Sequence, residues 1–301
     1  MKKSVLLLFV AMFIMYSCNN SNQADVSKDF EVPDSVLMEK PLEISEETME
    51  NIIQNISSPI EMASLIKSTG APFSQKLLSP TDYVDEYGTN FKKALSLGVF
   101  GADLGYLNMY EKTGSVITHL SSIKSLADDL KVGQFFDFAM LKRLSTSSNN
   151  LDSLIFISVS SFNLMDEYLR ENGRTNISTL LVTGVWIEGL YLATQIVKDK
   201  PNAEIAERIG EQKLFMNDII LLLSNYKSDQ NFQELIVDLE SIKALYDGVK
   251  ISYEVGEPEM IEKDGRLVIV QNEKSVVEIT DAQLDKIIEQ TEIIRSKIVN
   301  I

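Results

Sequence analysis

Residues 94–110 read ALSLGVFGADLGYLNMY, and residues 180–196 read LLVTGVWIEGLYLATQI. Both stretches are apolar for more than four helical turns, and neither alternates as a half-buried strand would, so each predicts a helix buried on nearly every side. The offset that aligns Gly98 with Gly184 also aligns Val99 with Val185, Phe100 with Trp186 and Leu104 with Leu190. Each stretch then carries a single acid, Asp103 in the first and Glu188 in the second. Gly98, Gly101 and Gly105 lie on or near one side of their helix. Each costs roughly 1 kcal/mol relative to Ala in a helix interior, so their expected return is close approach of a neighbouring helix. The repeated pattern suggests either an internal duplication of a helical hairpin or a chance likeness between two apolar helices.

Working outward, the chain from Thr81 to about Gly256 reads as helices joined by short links. Thr81-Asp82 is expected to start a helix that runs to Lys112, with a bend at Gly88. Ser115–Leu130 is amphipathic, with Ile117, Leu120, Ile123, Leu126 and Leu130 recurring at three- and four-residue steps. Gln134–Leu144 is a shorter, Phe-rich helix, and Leu151–Arg170 is closed by Asn172-Gly173. A helix starts at Pro201-Asn202 and runs to about Asn225, and another spans Asn231 to about Gly248. Upstream, Ser45 is placed to cap a helix ending near Ile56, and Pro59 opens a second with Ile60, Ala63, Leu65 and Ile66 on its buried face. Downstream, Met260–Glu262 and Arg266–Val270 flank Asp264-Gly265, a hairpin-turn dipeptide, and Val276–Ile279 suggests a third short strand. Thr280-Asp281-Ala282-Gln283 matches a capping box ahead of a last helix ending near Val299.

The fold class expected is all-α: a helical bundle or short α-superhelix, with a small C-terminal β-hairpin and final helix. The domain division expected is residues 1–17 as signal peptide, 18–42 as flexible tether, 43–256 as helical domain, and 257–301 as hairpin plus helix packed on that domain.

The 301 residues suffice for one large domain or two small ones, and 45% hydrophobic content suffices for a sizeable core. A formal net charge of −16 argues against a nucleic-acid partner, which calls for basic patches. It also argues against adhesion to an anionic bilayer surface. The single Cys rules out an internal disulfide.

At the N-terminus, Lys2 and Lys3 precede the apolar run Val5–Tyr16, shorter than the roughly 20 residues a membrane-spanning helix needs but fitting a signal peptide. Met15-Tyr16-Ser17-Cys18 then resembles a bacterial lipobox, which implies a diacylglycerol on Cys18 and loss of the residues before it. Cleavage there removes two lysines and no acid, leaving the mature chain more acidic still. Residues 19–42 are rich in Asn, Ser, Asp and Lys and include Pro33 and Pro41, the composition of a tether. Asp34-Ser35-Val36 and Asp152-Ser153-Leu154 fit a short O-glycosylation pattern, which makes Ser35 a candidate acceptor. With the lipobox, the tail CNNSNQADVSKD and the helix FKKALSLGVFGADLGY, the chain resembles helical lipoproteins of Bacteroidetes. The resemblance covers most of the mature chain and implies an outer-membrane anchor that faces the periplasm rather than the cell exterior. It carries no activity with it.

The sequence specifies no reaction. Its one histidine, His119, is expected at the polar edge of its helix, and without a second His or Cys ligand neither zinc nor a di-iron centre is expected. No phosphate-cradling loop, dinucleotide fingerprint or nucleophile elbow occurs, so no cofactor and no catalytic residue is assigned. What stands out is the acid pair. An ionised acid amid apolar neighbours costs several kcal/mol unless paired. Asp103 and Glu188 are therefore expected either to pair with a nearby Arg, Lys or Tyr hydroxyl, or to face a ligand in a cavity whose stacking walls are Tyr106, Tyr110, Trp186 and Tyr191. Two functions follow: a lipid-anchored envelope module that binds another envelope protein or a small ligand, or a glycan-directed hydrolase that uses the two acids.

Overall fold

The structure is a computed structural model that describes residues 59–145, 151–256, 258–263, 266–270 and 273–300. The residues expected to form the signal peptide, the tether and the helix capped by Ser45, with Cys18 and Ser35, lie outside the described residues, as do Asp264 and Gly265 of the expected turn. The described chain is dominated by α-helices: α1 Pro59–Ser68, α2 Asn90–Met109, α3 Thr113–Asp129, α4 Phe138–Ser145, α5 Leu151–Glu171, α6 Thr175–Asp199, α7 Ala203–Glu211, α8 Lys213–Ser224, α9 Gln230–Leu245 and α10 Asp281–Val299. Strands β1 Lys250–Val255, β2 Glu259–Lys263, β3 Arg266–Val270 and β4 Glu273–Glu278 lie between α9 and α10. One contiguous core joins Met62 in α1 to Val299 in α10.

The two apolar stretches form α2 and α6, which pack against each other at the centre. A Cβ added to Gly98 would sit 2.1 Å from the Leu181 carbonyl oxygen, and one added to Gly184 would sit 2.1 Å from that of Leu95. The contacts are reciprocal: each glycine meets the carbonyl one turn before the other glycine. The helices cross here with backbone against backbone, which any side chain at either position would prevent. They run parallel: Phe91 at the start of α2 packs on Phe232, whose neighbour Tyr226 hydrogen-bonds Thr175 and Thr179 at the start of α6. Gly101 serves a different neighbour, the Phe162 ring of α5, 2.5 Å from where its Cβ would be. Helix α6 is by length and composition apolar enough to cross a membrane, yet 83% of its apolar window is buried inside this fold.

Several boundaries differ from the sequence expectation. Residues 81–89 are not helical apart from a 3-10 turn at Val84–Glu86. Helix α2 begins only at Asn90, where the Thr89 side chain accepts from the Lys92 N–H at 3.2 Å. The cap, not a bend at Gly88, sets the start. The Phe-rich segment divides into a 3-10 turn at Gly133–Phe135 and helix α4. The helix expected from Pro201 to Asn225 is broken at Gln212 into α7 and α8.

Helices α2, α3 and α5 end in the same paired backbone bonds. Lys112 N–H reaches Leu107 O at 3.1 Å, Val132 N–H reaches Ala127 O at 2.8 Å, and Arg174 N–H reaches Leu169 O at 2.7 Å. The turn residue has positive φ in each: Gly173 at 68°, but Glu111 at 55° and Lys131 at 59° in the other two.

The C-terminal strands nest. β2 pairs with β3 in antiparallel register from Glu259↔Val270 to Lys263↔Arg266, which is the expected hairpin. β4 does not extend that hairpin as a third strand. It pairs with β1, Lys250↔Glu278 to Val255↔Glu273. The base of the ribbon packs on α7, where a Cβ on Gly210 would meet the Val277 side chain at 2.4 Å. Helix α10 then starts from a complete capping box, Thr280 with Gln283, and buries Leu284, Ile287, Ile288, Ile294 and Ile298.

Candidate functional site

The glycine crossing decides where the two acids go. Asp103 follows Gly98 by little more than a turn on α2, and Glu188 follows Gly184 by one turn on α6. Parallel helices this close bring the two side chains together, and their carboxyl groups lie within hydrogen-bonding reach of each other. Both residues are 0% exposed.

Arg295 of α10 closes the pair. Its Nε donates to Glu188 Oε2 at 3.0 Å and its Nη2 to Oε1 at 3.0 Å, a two-pronged ion pair. The same Nη2 donates to Ser79 Oγ at 2.7 Å and to the Leu77 carbonyl at 3.3 Å. The guanidinium lies over the Tyr191 ring, 4.4 Å from its centroid. The Ser79 backbone N–H donates to Asp103 Oδ2 at 2.9 Å. The irregular link between α1 and α2 is thus tied to α2 through Asp103 and to α10 through Arg295.

His119 approaches from α3. It is 2% exposed, not at a polar edge, because one ring nitrogen is satisfied on its own helix: Nδ1 lies 3.1 Å from the Ser115 carbonyl and so carries a hydrogen. The ring sits edge-on to Phe100, at 5.6 Å. Its Nε2 lies 3.7 Å from Asp103 Oδ2 without a hydrogen bond. Asp103 Oδ1 is likewise buried with no donor.

Two carboxyls and one guanidinium leave the cluster short of positive charge. Burial pushes the Glu188 carboxyl up from its ordinary range; Arg295 opposes this, Asp103 adds to it, and the net position is about 8. For Arg295, burial works against the charge, but the charge and hydrogen bonds of Glu188 outweigh it and hold the guanidinium above its usual range.

The expected stacking residues are not grouped around the acids. Only Tyr191 packs on the clasp, under Arg295, although Tyr106 lies close enough to Asp103 to feel its charge. Tyr106, fully buried, accepts from the Ser74 N–H at 3.1 Å and stacks on Phe73 at 5.5 Å. Tyr110 donates to the Ala71 carbonyl at 2.7 Å. Trp186 donates from Nε1 to Gln212 Oε1 at 2.9 Å, beside the α7–α8 break. These three therefore bind the fold's own segments. Among the described residues, no group of His, Cys, Asp and Glu is arranged to hold a metal ion.

Arg295 and Ser79 were not singled out from sequence, and His119 was named there only as a histidine at a polar helix edge. A signal for Arg295 exists: Leu284, Ile287, Ile288, Thr291, Arg295 and Ile298 share one helical face, and a cation in an apolar stripe implies a buried anion. Ser79 contributes its backbone N–H to Asp103 and its hydroxyl to Arg295, and no residue pattern shows either. No protein-family model, curated protein or solved structure matches the chain.

Proposed function

We propose that the chain is a lipid-anchored protein of the cell envelope whose helical body binds another envelope protein or a small ligand and performs no reaction of its own. The anchor is a lipid on Cys18, on the outer membrane and facing the periplasm. Lys2 and Lys3, the apolar run and Met15-Tyr16-Ser17-Cys18 support that part of the reading. The observation that carries the non-enzymatic part is the sealing of Asp103 and Glu188. They touch each other, are 0% exposed, and are clasped by Arg295.

The alternative, a glycan-directed hydrolase with these acids as general acid and base, draws support from their convergence and from the raised Glu188 carboxyl. Geometry weighs against it. A glycosidic bond must fit between its two carboxyls, which stand about 5 Å or more apart in such enzymes, whereas these two are in mutual contact.

Two experiments test the reading. Triton X-114 partitioning of wild type and Cys18→Ser is expected to place only the wild type in the detergent phase. The purified protein, incubated with peptidoglycan and with soluble glycans and analysed by mass spectrometry, is expected to release no product. Product formation that Asp103→Asn abolishes, with the fold intact, would establish the hydrolase instead.

A further inference from the structure

We propose that the Asp103–Glu188 pair is a proton-held latch: the closed core traps one proton between the two carboxyls, and release of that proton frees α10 and the 75–80 link from the α2–α6 centre.

The argument begins with donors. Asp103 Oδ2 has the Ser79 N–H, and both Glu188 oxygens have Arg295. Asp103 Oδ1 has none, although it is buried and its carboxyl is within hydrogen-bonding reach of Glu188. Two bare carboxylates have no hydrogen to share. One proton in the contact supplies the missing hydrogen bond and leaves pair plus Arg295 electrically neutral. Dyads of touching carboxyls hold a proton in this way.

The groups around the pair make the proton the decisive charge. Arg295 comes from α10, with Glu292 one turn away; His119 comes from α3; Tyr106 and Tyr191 stand on α2 and α6; and Tyr87 comes from the link. All three tyrosines are pushed up from their ordinary range, by burial first, and so stay neutral. Arg295 is already committed to Glu188. His119 faces Asp103 through Nε2, 3.7 Å from Oδ2 and without a hydrogen bond.

The site can open on one side only. Gly98 and Gly184 pin α2 to α6 within a turn of the acids. On the side that can open, Arg295, 8% exposed, lies over the part-exposed Tyr191 and bridges α10 to Leu77 and Ser79. Opening there hydrates the pair, returns the Glu188 carboxyl to its ordinary range and releases the proton.

The sign follows from linkage. The closed form holds a proton that the open form loses once the pH exceeds the ordinary Glu value of 4.5. Closure is therefore tightest in acid. It weakens as the pH rises from about 5 toward about 8, by up to tenfold per pH unit for one proton, and levels off above that.

Hydrogen exchange of the purified full-length protein in detergent, corrected for the intrinsic pH dependence of exchange, reads this directly. Amides of α10 and residues 75–80 are expected to lose protection by up to about tenfold per pH unit between pH 5 and 8. In Asp103→Asn the amide nitrogen takes the place of Oδ1 and donates permanently to Glu188, so protection there is expected to be flat with pH. Equal slopes in the two proteins, or a flat wild type, overturn the proposal. Infrared spectroscopy of the wild type keeps the test decisive should the variant not fold. The C=O stretch of a buried protonated carboxyl is expected at pH 6.5 and fades as the pH passes about 8. Its absence at pH 6.5 overturns the latch.

Discussion

Arg295 and Glu188 stand 107 residues apart in the chain and meet in a two-pronged ion pair, each prong 3.0 Å, with Glu188 fully sealed from solvent. The bond joins the last helix to the central one. Its net contribution is set by what removal leaves behind, since desolvation offsets most of the attraction in a buried pair. Arg295→Met leaves two acids in the core with no counter-charge and is expected to destabilise by about 3–5 kcal/mol. The double variant Arg295→Met with Glu188→Met leaves no unpaired charge on that side and is expected to recover part of the loss. Urea denaturation of wild type, both single variants and the double variant gives the coupling. A double variant as unstable as the sum of the singles would mean that the pair does not act as a unit.

Close packing of α2 on α6 predicts a second asymmetry. Gly98→Ala drives a methyl group into the Leu181 carbonyl, and Gly184→Ala into that of Leu95. Backbone cannot rotate aside as a side chain can, so each is expected to cost at least the 1–3 kcal/mol typical of overpacking, despite the better helix propensity of Ala. Because the glycines meet at one crossing, the double variant is expected to cost less than the sum. Thermal melts of the three variants check this. Gly114, whose Cβ would meet nothing within 4 Å, is the control: Gly114→Ala is expected to leave the melting temperature unchanged or raise it.

This crossing also shows what the sequence made legible. Two apolar stretches with matched glycines predict two buried helices in contact, and α2 and α6 are those helices. An acid one turn beyond each glycine predicts that the acids are near each other whenever the helices are parallel. What the sequence left open was direction and counter-charge. Arg295 belongs to a helix whose position depends on where the β1–β4 ribbon folds back. β1 itself was not expected, because Lys250–Val255 gains its partner only from residues 273–278, more than a dozen residues away, and carries no turn signal of its own. Residues 81–89 misled for a local reason: helix-compatible residues there precede a stronger start at Thr89. His119 appeared polar because its helix neighbours are serines, but the Ser115 carbonyl satisfies the ring from within and permits burial.

A third prediction concerns helix ends. Lys131 closes α3 with φ at 59°, a conformation that costs an L-residue roughly 1 kcal/mol relative to Gly. Its side chain is exposed, so nothing is lost with it. Lys131→Gly is expected to stabilise by up to about 1 kcal/mol, while Gly173→Ala at the end of α5, φ 68°, is expected to destabilise by a similar amount. Urea midpoints measured side by side give both signs. Destabilisation by Lys131→Gly would show that Gly's greater freedom in the unfolded chain outweighs relief of strain.

The final prediction uses the only tryptophan in the chain. Trp186 is 3% exposed, and its indole N–H has one partner, Gln212 Oε1 at 2.9 Å. Gln212 also donates from Nε2 to the Arg208 carbonyl at 3.0 Å, so a single side chain holds both the indole and the α7–α8 break. Native fluorescence is accordingly expected at short wavelength and resistant to iodide, with a red shift only on global unfolding. Gln212→Leu keeps the volume but leaves the indole N–H and a helix-end carbonyl without partners. Its expected cost is about 1–3 kcal/mol for the buried donor, with less for the carbonyl, which water can reach as the break loosens. Gln212→Glu keeps the acceptor for the indole, loses the donor to Arg208 and buries a carboxylate facing that carbonyl at a position 2% exposed. It is expected to cost at least as much as Gln212→Leu at neutral pH, and less as the pH falls and the carboxyl protonates. Iodide quenching of each variant in buffer separates the two roles, since only loss of the indole bond should open Trp186 to the quencher before the chain unfolds.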